Sequence, residues 1–90
     1  MGIERRYKDP DEVMNFGIDW VDYLGTDTIS GSSWTVPSGV IQVSASFTDT
    51  QAIIKLSGGT VGSIYRISNR ITTSAGETVD QSIDIEVIEK

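Results

Sequence analysis

Three kinds of residue cluster in this 90-residue sequence have side chains that could do chemistry: carboxylates, a glycine-flanked Ser/Thr loop and a basic-aromatic run. Asp9, Asp11 and Glu12 form one acidic group, and Asp19, Asp22 and Asp27 another. Hard oxygen donors at that density could hold calcium, but neither group has the Asp-x-Asp-x-Asp-Gly spacing of a calcium loop. Aspartates in such places ordinarily accept hydrogen bonds from nearby turn N–H groups. Asp80, Asp84 and Glu86 alternate along one segment and so share a strand face. A glycosidase pair needs a concave, partly desolvated site, which a solvent-facing strand does not supply. Ser57-Gly58-Gly59-Thr60 superficially resembles a phosphate cradle, but no Lys and no helix follow it.

The residues that are missing narrow the chemistry further. There is no Cys, hence no disulfide, no thiolate nucleophile and no sulfur metal site. There is no His, so the 11 Ser and nine Thr have no imidazole base, and no Gly-x-Ser-x-Gly appears. These observations predict a protein that is not an enzyme and uses no metal or cofactor. A formal charge of −6 argues against nucleic acid, whose affinity rests on Lys and Arg against phosphate. Apolar runs of two to three residues are far short of a membrane span, and the N-terminus lacks the apolar stretch of a signal peptide. The expectation is a chain made and used without secretion machinery, away from membranes.

What is left for function is partner contact. Arg5, Arg6, Tyr7 and Lys8 mix the residue types that carry energy at interfaces. They lie in a stretch, residues 1–13, with neither a period of 2 nor of 3.6. That stretch reads as an N-terminal arm, Pro10 breaking it and a short helical turn over Asp11–Met14 being compatible with the Asp-Pro signal. Residues 14–90 read as the domain.

The elements that must present these residues follow from the apolar composition. Twelve Ile, eight Val and nine Thr stand against two Leu and three Ala. β-Branched residues lose rotamer freedom in helices and pack well on a pleated surface, so the chain is all-β. Phe16, Ile18 and Trp20 alternate along a first strand, and Asp22–Gly25 makes a turn. A second strand spans residues 26–36, its Ser30-Gly31-Ser32-Ser33 centre suggesting a bulge. Ile41, Val43, Ala45 and Phe47 share one face of a third strand, and Ala52, Ile54 and Leu56 mark a fourth.

Residues 63–73 and 77–88 form the best-specified hairpin. If Ser74-Ala75-Gly76 is a three-residue loop closing on Thr73 and Glu77, partners are fixed along both strands. Ile71 then faces Val79, Ile67 faces Ile83 and Tyr65 faces Ile85, while Arg70 meets Asp80 and Arg66 meets Asp84. A one-residue slip would set apolar residues against charges throughout. Asn69 and Gln81 become an inward-facing pair that could satisfy each other. The spacing of strands predicts one antiparallel β-sandwich of six or seven strands, immunoglobulin-like or fibronectin type III-like. Its core is expected to hold Phe16, Ile18, Trp20, Trp34, Phe47, Tyr65, Ile67, Ile71, Ile83 and Ile85, with Tyr65 placed like a tyrosine-corner residue.

Several short motifs follow one another in order: Tyr7-Lys8-Asp9-Pro10-Asp11, Ile18-Asp19-Trp20, Leu24-Gly25-x-Asp27-Thr28-Ile29 and Ser33-Trp34-Thr35-Val36-Pro37. Leu56-Ser57-Gly58-Gly59-Thr60 and Asn69-Arg70-Ile71-Thr72-Thr73 before Gly76 complete the string. From Tyr7 to Val87 the chain resembles the small Ig-like structural proteins of tailed bacteriophages and prophages, the fiber-tail adaptor proteins. The resemblance implies a virion component, assembled in the bacterial host cytoplasm, with no catalytic residues. It implies tail and fiber proteins as partners, and copies of the chain itself in a symmetric assembly. Two other roles compete: a capsid decoration protein, and a carbohydrate-binding module, which would need an exposed aromatic platform such as Trp20 or Trp34.

Overall fold

The computed structural model describes residues 4–89, and among them seven strands and one short helix are formed. In chain order these are β1 (Glu4–Lys8), β2 (Met14–Asp19), α1 (Val21–Leu24), β3 (Ile29–Thr35), β4 (Val40–Phe47), β5 (Gln51–Gly58), β6 (Ile64–Thr73) and β7 (Thr78–Val87). They build two sheets, one ordered β1-β7-β6-β3 and the other β2-β5-β4. The architecture is an all-β two-sheet stack.

The β6–β7 ladder has the pairing that apolar and charged alternation dictates: Tyr65 opposite Ile85, Ile67 opposite Ile83, Arg70 opposite Asp80. Ile67, Ile71, Ile83 and Ile85 all face inward and are fully buried. The second sheet adds Phe16 and Ile18 from β2 and Ala52, Ile54 and Leu56 from β5. Trp20, Leu24 and Ile29 close one end of the core, while Trp34 and Tyr65 pack partly buried against it. The register of β3 slips between Ile29 and Gly31, in the small-residue segment where a bulge was expected.

Several features depart from the sequence reading. The residues assigned to an unpatterned arm include an edge strand, since β1 pairs with β7 from Glu4–Ile83 to Lys8–Val87. That pairing is parallel, so the sandwich is not wholly antiparallel. Phe47, placed in the core, is 43% exposed. It shares the inner face of its sheet with Ala52, its partner on β5, but β4 is an edge strand and an opening lies between Phe47 and Ser32 of β3. Asp22–Gly25 is a helical turn rather than a plain turn, and Asp9–Glu12 is a hydrogen-bonded turn rather than helix.

Two polar side chains join the sheets through the core. Asn69 on β6 accepts the Trp20 indole N–H at 3.0 Å and donates to the Ser32 hydroxyl and the Ser33 carbonyl of bulged β3. It stands opposite Gln81 in the ladder, as expected, but its amide is engaged with these groups instead. Lys8 is fully buried, its ammonium donating to the carbonyls of Asp9 and Gly58 and thereby joining β1 to β5. The Tyr65 hydroxyl accepts the Thr60 N–H at 3.0 Å, a corner contact that fixes the Gly-rich loop. Gly59 in that loop has φ +101°, and a Cβ there would sit 2.6 Å from Val87, so only glycine fits.

Replacing Asn69 with Leu keeps the branched heavy-atom skeleton, at a larger side-chain volume, and strips the Trp20 N–H of its acceptor. Chemical denaturation of Asn69→Leu should show a loss of about 2–4 kcal/mol, the cost of orphaned buried polar groups. A loss below about 0.5 kcal/mol would mean that the indole and β3 find other partners.

Candidate functional site: the outer face of the four-stranded sheet

Side chains alternate across a strand, so every second residue of β1, β7 and β6 reaches the same outer surface. Arg5 lies opposite Asp84, which lies opposite Arg66. Tyr7 lies opposite Glu86, which lies opposite Ile64. Asp80 and Arg70 form the next charged row, and Ser68 and Ser82 share a hydroxyl hydrogen bond at 2.7 Å between them. The result is a flat, charge-paired surface with two large residues, Tyr7 and Ile64, standing out of it about half exposed.

Both arginines of β6 form fork-to-fork pairs. Arg66 Nε and Nη2 donate to the two Asp84 oxygens at 3.0 and 3.3 Å, and Arg70 donates to Asp80 at 2.8 and 3.0 Å. The Arg66 guanidinium holds the Asp84 carboxyl below the usual carboxylate range, and Arg70 does the same for Asp80. Arg5 adds a pair to Glu86 at 3.2 Å. Arg6 pairs with Glu4 along β1.

Of the four residues singled out for partner contact, three are surface groups and one is not. Arg5 and Tyr7 face outward with the ladder, and Arg6 turns toward the open seam beside β2. That seam is a polar opening of about 380 Å³ whose lining includes Glu4, Arg6, Asp19, Gln51 and Gln81. Lys8, by contrast, is sealed in the interior, where its ammonium fastens β1 to the Gly58 carbonyl. Sequence alone offered no sign of this, because an interior lysine depends on carbonyls brought from Gly58, 50 residues away.

The acidic clusters serve their own turns. Asp9 accepts the Asp11 N–H, Asp19 accepts the Val21 N–H, and Asp27 accepts the N–H groups of Thr28 and Ala75. The Thr73 hydroxyl and then the Thr28 N–H hold Asp27 low, while the Tyr23 hydroxyl is pushed up by its hydrogen bond to Glu77. No three carboxylates among the described residues are grouped to hold a metal ion. Trp20 is buried and Trp34 packs against the core, so neither forms the platform a glycan site needs. Composition also carries a signal outside these clusters: no charged residue occurs from Thr28 to Thr48.

Depressed carboxylates give the ladder an acid signature. Its stabilisation is complete above the ordinary Asp pKa and is lost as pH falls through about 4 toward the lower folded values, because the unfolded chain takes up protons first. The double variant Asp80→Asn/Asp84→Asn should therefore lose Tm less steeply than the parent between about pH 4 and pH 2. Equal slopes would show that the pairs contribute nothing to folding.

The sequence model of one protein family, described as Podophage GP4 fiber-tail adaptor protein gp77, matches residues 8–86, from the buried lysine to the penultimate residue of β7. No curated protein matches the chain.

Proposed function

We propose that this chain, which belongs to the podophage fiber-tail adaptor family, joins tail to receptor-binding fibers through the outer face of the β1-β7-β6-β3 sheet. The family match over nearly the whole domain is the observation that carries the reading. On that reading the protein is a non-enzymatic virion component, assembled in the host cytoplasm, whose partners are tail and fiber proteins. Its strand order, with the Tyr65 corner, fits an immunoglobulin-like module.

The physical character of the face suits a joint. A partner meets a rigid, hydrogen-bonded sheet, so few side chains lose freedom on docking. Tyr7 and Ile64 supply apolar anchors beside Arg5, and the surrounding ion pairs fix register and exclude mismatched charges. No step of bond making is assigned to any residue.

Removing residues 1–12 is a poor test, because it would take away β1 and unpair the β7 edge. Point changes separate the roles. Tyr7→Ala and Arg5→Ala should leave Tm within a few degrees of the parent but weaken capture by fiber-bearing tails roughly tenfold each. Lys8→Ala should instead lower stability, with binding affected only through unfolding. Quantitative mass spectrometry of virions would then find a small, ring-like copy number relative to the major capsid protein. Full capture by both surface variants would move the contact off this face, and hundreds of copies would place the chain on the capsid.

A further inference from the structure

We propose that β4 is a contact edge between two copies of this chain, pairing antiparallel with its own counterpart across a two-fold axis. The assignment is independent of which partner the outer face of the other sheet takes.

The four sheet edges differ in how they are guarded. β1 carries Glu4, Arg5 and Arg6, and its last side chain is buried. β2 buries Phe16 and Ile18 and ends on Asp19. β3 is short of side-chain bulk, with Ser30, Gly31, Ser32 and Ser33 around its bulge. β4 is eight residues long, has no charge and no proline, and every residue after Val40 is exposed. Ile41 is 63% and Val43 52% exposed, on the same strand as half-exposed Phe47. Edge strands of soluble proteins usually carry Lys, Pro or inward charge to prevent pairing. Here a single bulge at Val43 is present, and it leaves that side chain outside the ladder to β5.

Charge selects the occupant. Twenty of the 90 residues are charged, yet none lies in the 21 residues from Thr28 to Thr48, which hold both β3 and β4. These two strands approach each other on one side of the sandwich, where an opening of about 370 Å³ is lined by Ser32, Ala45, Ser46 and Phe47. Two copies of a chain with net charge −6 repel each other when carboxylates face carboxylates. The charged residues directly paired with these strands are cations, Lys55 opposite Ser44 and Arg70 opposite Ser33, so two copies meet here without carboxylates in opposition, whereas a basic partner would be drawn to the acidic surfaces elsewhere. Joining β4 to β4 would merge two three-stranded sheets into one of six, satisfy the free backbone groups of both edges and cover Ile41, Val43 and Phe47. An edge pairing of this length buries less than about 1,200 Å² in total, so the expected affinity is in the micromolar range.

Sedimentation velocity on the full chain tests this, over roughly 1–500 µM, a range that brackets a micromolar Kd. The mass should rise from 9.8 kDa toward twice that value with concentration. Val43→Lys and Ser46→Lys each place a charge on the edge at an exposed position and should weaken association more than tenfold. Near-UV circular dichroism reports whether each variant keeps its fold, and a folded Ser46→Lys decides the matter if Val43→Lys unfolds. Hydrogen exchange should show β4 amides slowing with concentration while those of β2 do not. A parent that stays monomeric throughout overturns the proposal, including the case in which β4 becomes protected only when fiber protein is added. So does a dimer that both folded lysine variants leave intact.

Discussion

A single buried amide sets the geometry on which the two sheets depend. Asn69 spends its carbonyl on the Trp20 indole and its NH2 on Ser32 and Ser33, so one side chain ties the end of the three-stranded sheet to an edge of the four-stranded one. A sandwich held by apolar contacts alone can slide, since dispersion between isoleucines has little directional preference. Hydrogen bonds with fixed angles remove that freedom, and burial raises the cost of breaking them. The bulge of β3 belongs to the same arrangement: small serines there let the strand reach the amide, and larger residues would hold it away.

Around that fixed interior the surface divides into unlike regions. The outer face of the four-stranded sheet is laced with opposite charges at cross-strand positions, which specify register and keep the face soluble. The residues of β3 and β4 carry no charge themselves, and the turns around α1 collect Asp19, Asp22 and Asp27, two of them bonded to local backbone. Charged residues in this protein are thus arranged by face, and the arrangement separates a surface patterned by opposite charges from strands that offer only shape and main-chain groups.

Much of this was legible in the residues. The β6–β7 ladder was, because apolar and charged residues alternate in phase on both strands and only one register satisfies both. The bulge in β3 showed itself through Ser and Gly. β1 did not, because Glu4-Arg5-Arg6-Tyr7 carries no apolar alternation, and its place depends on a parallel partner more than 75 residues away. Nor did the interior fate of Lys8, which hangs on a carbonyl supplied by the end of distant β5. Strand β4 illustrates a different boundary: the unpaired Val43 puts Ile41 on the opposite face from Ala45 and Phe47, which no simple alternation reveals, and Phe47 on the inner face is still 43% exposed. The ion pairs of the candidate site followed from register, while the apolar edge of β4 was not legible, because an edge strand and a core strand carry the same apolar alternation.

The parallel pairing of the first and last strands has a mechanical side. β1 and β7 run in the same direction, with Glu4 beside Ile83 and Lys8 beside Val87. A pull applied at the start of β1 and at the end of β7 acts along the strands in opposite senses. It loads the hydrogen bonds between them together, in shear, whereas a hairpin pulled at its open end would lose its bonds in succession, like a zip. The Lys8 ammonium, bonded to Gly58 in the other sheet, would resist the same displacement. Tension between a virion and a surface it has gripped, if it passes through this domain from one strand to the other, would meet the fold along its stiffest axis.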